Sequence, residues 1–409
     1  MKGKQLLILI AALLVLGGAG LYLRRLDDAK LTGSRVGMGQ KVLGEFDINS
    51  VAGFRIRAGS NQLNVVREGD AWVVRERANY PASFANLADF LRKLDDLKVT
   101  RPLEVGPSRL AALDLVAPDR GNGVQLELLA ADGKALRSLL LGKSHSRAGA
   151  EDSSQAGGGG MANGRYLMVG GDIKTAAVVS DPLSNVETRP EEWLDKEFFK
   201  VELPRRVELI RSEATNSFVL SRTNEFSEWQ LADAKPEEKV EASKTSLFGS
   251  VLSAPTFTDV RVNPDVAALG LDKPALAKIT TTSGFSYEIK VGKVQANDEY
   301  PIQLSVSAEL QKERVPGKDE KPEDKEKLDK EFKDKLAKLE QKLKAEQGYA
   351  KWTYIVSKWT IEPILKNRSD LFADKKAEGA GAGDGGVPPG FNIPGLNLPG
   401  AGGGLPNRQ

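Results

Sequence analysis

At 409 residues and 40% apolar content, the chain is long enough to bury more than one core. Lys+Arg 58 against Asp+Glu 56 leave a net charge of +2, and no basic stripe with interleaved aromatics appears, so no nucleic acid partner is expected. With no cysteine and a single histidine, His145, the composition excludes disulfides, thiolate metal sites, a Cys nucleophile and a lipidated cysteine, and it argues against a Ser-His-Asp relay or a multi-histidine metal site. No catalytic, cofactor-binding or metal residue is therefore expected.

Leu6–Leu23 is an uncharged, mostly apolar run between Lys2 and Lys4 on one side and Arg24-Arg25 on the other. As a helix it spans about 27 Å, close to the roughly 30 Å of a bilayer core. Gly17–Gly20 offers a signal-peptide cleavage region, but Leu21-Tyr22-Leu23 continues the apolar run beyond it, which favours an uncleaved anchor over residues 1–23. Long domains cross a membrane largely regardless of flanking charge, so the body is expected outside the cytoplasm. Residues 24–45 read as a polar tether.

From Phe46 a pattern begins that later repeats. Val51–Arg57 and Leu63–Arg67 are β-type runs, Glu68-Gly69-Asp70 marks a turn, and Ala71–Val74 opens another strand carrying Trp72. Leu87, Phe90, Leu91, Leu94 and Leu97 recur at helical spacing within Ser83–Lys98. The turn Leu113-Asp114-Leu115-Val116-Ala117-Pro118 follows, then the strand pair Val124–Leu129 and Leu136–Leu141, then Gly142-Lys143. After the Gly/Ser-rich loop 144–164 come a strand at Arg165–Val169, another at Ala176–Ser180, and a helical closing segment over Pro182–Phe199. The glycine cluster lacks the Lys-Ser/Thr ending of a phosphate-binding loop and reads as flexible.

The same signals return in the second half. Val207–Ile210 and Phe218–Arg222 precede Trp229, a helical stretch runs from Ala242 to Leu252, and Leu269-Gly270-Leu271-Asp272-Lys273-Pro274 matches the earlier turn. Asp114 stands where the second copy has Gly270, and Asp tolerates a left-handed turn better than most residues. Ala277–Thr281 and Tyr287–Val291 form the second hairpin and lead into Gly292-Lys293, and Ile302–Val306 follows. Trp352–Ser357 and the closing segment Ile361–Phe372 match the end of the first copy. The fold class implied is α+β: two tandem related domains of mainly antiparallel sheet with packed helices, after an N-terminal transmembrane helix. Their bounds are 46–200 and 201–376.

A charged insertion, 311–348, interrupts the second domain. Leu328, Phe332, Leu336, Leu339 and Leu343 make a narrow apolar seam on an otherwise charged helix, which is supported by Glu–Lys pairs four apart. Two readings stay open: a solvated helix lying on its own domain, or a projecting arm that pairs with a partner. The Gly/Pro-rich tail 377–409 cannot bury a core and is expected to be disordered. Its five-residue period, PGFNI then PGLNL, places Phe391 and Leu396 as further candidates for partner contact.

An anchor, a strand-rich region with one tryptophan, a GLDKP turn at Gly270–Pro274 and a VGK at Val291–Lys293 together resemble the bacterial family called domain of unknown function 4340, over roughly residues 50–375. Copy one departs at Asp114, and the charged insertion is unlike a compact member. The resemblance implies an envelope accessory role beside ABC-type transporters related to gliding-motility components, and it brings no catalytic residue. The expected function is a non-enzymatic, membrane-anchored envelope binding or assembly module in the bacterial inner membrane, with its body in the periplasm or exoplasm. The alternatives are a hydrolase using paired carboxylates, or a polysaccharide or small-ligand binder with an open apolar pocket at Trp72 or Trp229.

Overall fold

The computed structural model describes residues 36–146, 163–235, 238–317 and 320–372. The Leu6–Leu23 run, most of the tether, most of the Gly/Ser-rich loop and the tail from residue 373 lie outside the described residues. No helix among the described residues is long and apolar enough to cross a membrane.

Two mainly antiparallel sheets with few helices make an α+β fold. The first sheet contains β1 (Gly53–Ala58), β2 (Asn61–Glu68), β3 (Ala71–Val74), β4 (Tyr80–Pro81), β5 (Val99–Pro102), β6 (Val124–Leu129), β7 (Ala135–His145), β8 (Gly164–Val169) and β9 (Ala177–Val179). The second contains β10 (Pro204–Ile210), β11 (Phe218–Ser221), β12 (Gln230–Leu231), β13 (Asp259–Arg261), β14 (Ala275–Thr281), β15 (Phe285–Val291), β16 (Glu299–Ala308) and β17 (Thr353–Ser357). Their spatial orders are 4-3-2-1-6-7-8-9-5 and 12-11-10-14-15-16-17-13. Apart from the extra β4, the second order repeats the first strand for strand.

Alternation decides which face is buried. In β1, Phe54 and Ile56 are fully buried, while Arg55 and Arg57 on the other face reach Glu127 of β6 at 3.2 and 3.0 Å. Helix α1 (Phe84–Asp95) starts where the Ser83 hydroxyl accepts from the Asn86 amide, and it lays Leu87, Phe90 and Leu94 on the sheet. One continuous buried cluster takes in residues of both sheets. At the junction, Tyr80 of β4 packs its ring against Phe257, Trp352 and Tyr354 at 5.8, 4.7 and 6.1 Å.

The paired turn and glycine signals have one physical cause. Asp114 and Gly270 both adopt left-handed backbone, at φ 55° and 70°. Around them the hydrogen bonds repeat: Asp114 N to Ala111 O and Leu115 N to Leu110 O at the first turn, Gly270 N to Ala267 O and Leu271 N to Val266 O at the second. These are the two bonds of a Schellman cap. A methyl group on Gly142 would sit 2.2 Å from the Leu113 carbonyl oxygen, and one on Gly292 would sit 2.2 Å from that of Leu269. Each turn is thus seated on the glycine that closes its own hairpin, and only glycine leaves room for it.

Several expectations need correction. Pro182–Phe199 is not helical beyond a 3-10 turn at Pro190–Trp193. Its backbone is used instead as an added edge strand, with Ser83 N donating to Trp193 O and Asp195 N to Pro81 O. The expected Ala242–Leu252 helix is α-helical only as α2 (Ala242–Thr245) and continues as a 3-10 turn to Ser250, in a Ser- and Gly-containing stretch of low helix propensity. The end of the tether is not free: Gly39 N donates to Val99 O and Val42 N to Leu97 O, which covers the outer edge of β5.

Candidate protein-docking site

The charged insertion forms helix α3 (Lys325–Gln347), which runs about 34 Å at 1.5 Å per residue. It is inserted between β16 and β17, which pair with each other through Glu299–Ile302 and Tyr354–Ser357. Beyond Ile302, β16 continues past its partner to Ala308, so that stretch of its edge has no strand beside it there. The C-terminal half of α3 stands over it, and Gln347 Nε2 donates to Val306 O at 3.4 Å.

All five seam residues, Leu328, Phe332, Leu336, Leu339 and Leu343, are half-buried. Leu339 and Leu343 pack against the common core, so these two are covered by the chain itself. The next position along the seam is Glu346, three residues on, and it is only 6% exposed. Its Oε1 accepts from the Lys200 amide at 3.1 Å, and its Oε2 accepts from the Tyr287 hydroxyl at 2.8 Å. Burial pushes the Glu346 carboxyl above the usual carboxylate range, against the opposing pull of these donors and of Lys342. Burial, together with the neighbouring Glu346, likewise pushes the Tyr287 phenol up. Lys342 bonds Glu202 and the Lys200 carbonyl, with its ammonium over the Phe285 ring at 5.2 Å. The last turns of α3 are therefore latched to β15 and to the segment preceding β10.

The other end of α3 is held differently. Arg314, in the approach to the helix, forks onto Glu320 and donates through Nε to Asp329 Oδ1 at 2.7 Å. Hydrogen bonds to Glu320 and Asp329 raise the Arg314 guanidinium further, and Arg314 holds the Glu320 carboxyl low. Between this half of the helix and the β14–β15 turn lies a cleft of about 350 Å³. Phe332, Leu336, Leu339 and Leu310 give it apolar walls, and Thr282 and Ser283 supply hydroxyls. Of the remaining partner candidates, Phe391 and Leu396 lie outside the described residues.

The ligand-binder alternative would place Trp72 or Trp229 in an open apolar pocket, but both pack in or against the core. Trp229 is core, 7% exposed with Arg222 over its ring at 4.7 Å, and Trp72 is half-buried against the core. Trp193 does border a polar cleft of about 420 Å³ with Asn86, Asp89, Glu187 and Glu192. Its indole already packs on Phe54 and Phe90, with ring centroids 4.7 and 5.1 Å away, which leaves little face for a sugar ring. Asp89 in the same cleft is held low by Lys93 and Arg92, the opposite of what a general acid needs. Glu346 is the one carboxylate residue buried among the described residues, so no buried carboxylate pair is present among them. The same residues contain no group of three or more acidic or histidine side chains placed to hold a metal ion.

Residues 72–274 match the family described as a domain of unknown function, DUF4340. This stretch of the chain belongs to that family. The DUF4340 match runs from Trp72 in β3 to Pro274, the residue before β14, and so draws on both sheets. It includes the Gly270 turn and stops short of Val291–Lys293 and of α3. No curated protein and no solved structure matches the chain significantly.

Proposed function

We propose that this DUF4340 chain is a non-enzymatic envelope assembly module, an accessory of an ABC-type transporter complex. In this reading Leu6–Leu23 anchors it in the bacterial inner membrane. Its two tandem related α+β units stand outside the cytoplasm, in the periplasm or exoplasm, and present α3 to a protein partner. The observation that carries the reading is the division of labour along α3. Leu339, Leu343 and Glu346 hold the helix to its own sheet, whereas Leu328, Phe332 and Leu336, equally half-buried, are not among the residues packed on the core and stand on a charged helix. A short apolar stripe framed by charge is the pattern of a specific protein contact, in which central apolar anchors carry the energy and a polar rim sets the register.

Co-purification from gently solubilised native membranes tests this, with wild type beside a Leu328→Lys/Phe332→Lys variant. The proposal expects transporter ATPase or permease subunits with the wild type and their loss from the variant. Recovery of the protein alone in both cases would remove the partner from the proposal.

A further inference from the structure

We propose that the cleft between α3 and the β14–β15 turn is the seat of the chain's own tail, through the stretch Val387–Leu398. This docking is intramolecular and holds whether or not the envelope reading does. The repeat PGFNI–PGLNL offers Phe391, Ile393, Leu396 and Leu398 from a stretch with no charged residue. The cleft matches it in kind. Its apolar wall is Phe332, Leu336, Leu339 and Leu310, and its charges, Arg205 and Lys335 against Glu309, are of both signs. Such a lining does not select a strongly charged ligand. At about 350 Å³ it sits near the small end of ligand clefts, which run roughly 300–1,000 Å³, and suits a few apolar side chains of an extended segment better than a whole partner helix.

Geometry permits the contact. The described chain ends at Phe372, which bridges to Val240. From Phe372 to Phe391 the chain reaches about 60 Å at roughly 3.3 Å per residue, well beyond the length of α3. Tethering sets the local concentration near the millimolar range, so a contact too weak to hold a free peptide still closes. The prolines at 388, 389, 394 and 399 lower the entropy lost on docking. Because Phe332 and Leu336 belong to the seam as well as to the cleft, a seated tail would shield the apolar stripe until something displaced it.

The test uses the full-length chain in detergent. Hydrogen exchange over Phe332–Leu339 is compared between wild type and a Phe391→Asp/Leu396→Asp variant, and the synthetic peptide Val387–Leu398 is then titrated into each. With a peptide Kd near 100 μM, tethering at about 1 mM predicts roughly tenfold faster exchange in the variant. The peptide should bind the variant, restore its protection, and bind wild type much more weakly. Leu336→Glu and, separately, Leu310→Glu introduced into the variant should abolish peptide binding. Unchanged exchange in the variant, no binding at millimolar peptide, or binding that survives both lining changes would each overturn the proposal.

Discussion

The Tyr287 hydroxyl donates to Glu346 Oε2 at 2.8 Å, joining the middle of β15 to the last turn of α3 inside the core. The same hydroxyl lies 3.0 Å from the Lys200 carbonyl, so its single proton is shared between two acceptors. Tyr287→Phe removes the donor and leaves a buried carboxyl one partner short. A loss of about 1–3 kcal/mol is expected, read as a shift in the urea midpoint at constant slope.

The same latch has a pH signature. Burial raises the folded-state pKa of Glu346 above its unfolded value, so the fold favours the protonated form. Its contribution is fully present below the unfolded pKa, near 4.3, and is lost as pH rises through the folded one. Melting temperatures of wild type and Glu346→Gln, measured from about pH 4 to 8, should show wild type losing ground as pH rises. A constant difference across that range would assign the Glu346 site no titration.

A methyl on Gly142 or Gly292 meets a backbone oxygen at 2.2 Å, and backbone yields less readily than a side chain. Gly292→Ala and Gly142→Ala should each cost several kcal/mol, of the order seen for strained or overpacked sites. Gly249→Ala is the control: its nearest neighbour is the flexible Arg222 guanidinium at 3.6 Å, and the change should be neutral or stabilising by up to about 1 kcal/mol. Equal losses at Gly249 and Gly292 would refute the close-approach explanation.

Those glycines also explain what the sequence makes legible. A Schellman cap resting on a glycine is a local requirement, so it stamps Leu113–Pro118 with Gly142, and Leu269–Pro274 with Gly292, in recognisable form. The α1 stripe and the hairpins are likewise local and read correctly. What escaped detection is set by distant pairing. β5 and β13 are short edges that exist only because β9 and β17 lie beside them. Trp193 is buried in a segment shaped by its bonds to Pro81 and Ser83, not by its own periodicity. In the sequence Glu346 is one charge among many on a charged helix, and only its place three residues past Leu343 on the seam marks it as a polar group in an apolar position.

Arg77, in the turn after β3, forks onto Asp259 of β13 with bonds of 2.6 and 2.9 Å, tying the first sheet to the second. Both side chains are mostly buried, with 19% and 17% exposed, so the pair should matter more than a surface bridge. In a double-mutant cycle of Arg77→Met and Asp259→Asn, a coupling energy above about 1 kcal/mol is expected. Coupling near zero would mean that the other contacts across the junction, among them the aromatic packing around Tyr80 and the Lys196 bonds to the Phe257 and Thr258 carbonyls, hold it without this pair.

The insertion gives the sharpest contrast, because its two halves differ in what they cover. Replacing residues 312–333 by a short Gly/Ser link removes Leu328, Phe332 and the Arg314 fork, none of which supports the sheet edge. The melting temperature should then fall by only a few degrees. Extending the deletion through Gln347 also strips Leu339, Leu343 and Glu346 from the core, leaving Tyr287 without its carboxylate and β16 bare from Gln303 to Ala308. Losing two partly buried leucines and a buried hydrogen bond costs on the order of 3–6 kcal/mol, enough to lower the midpoint far more than the first deletion does. If both deletions cost the same, the latch at Glu346 contributes nothing, and α3 is held at its N-terminal end.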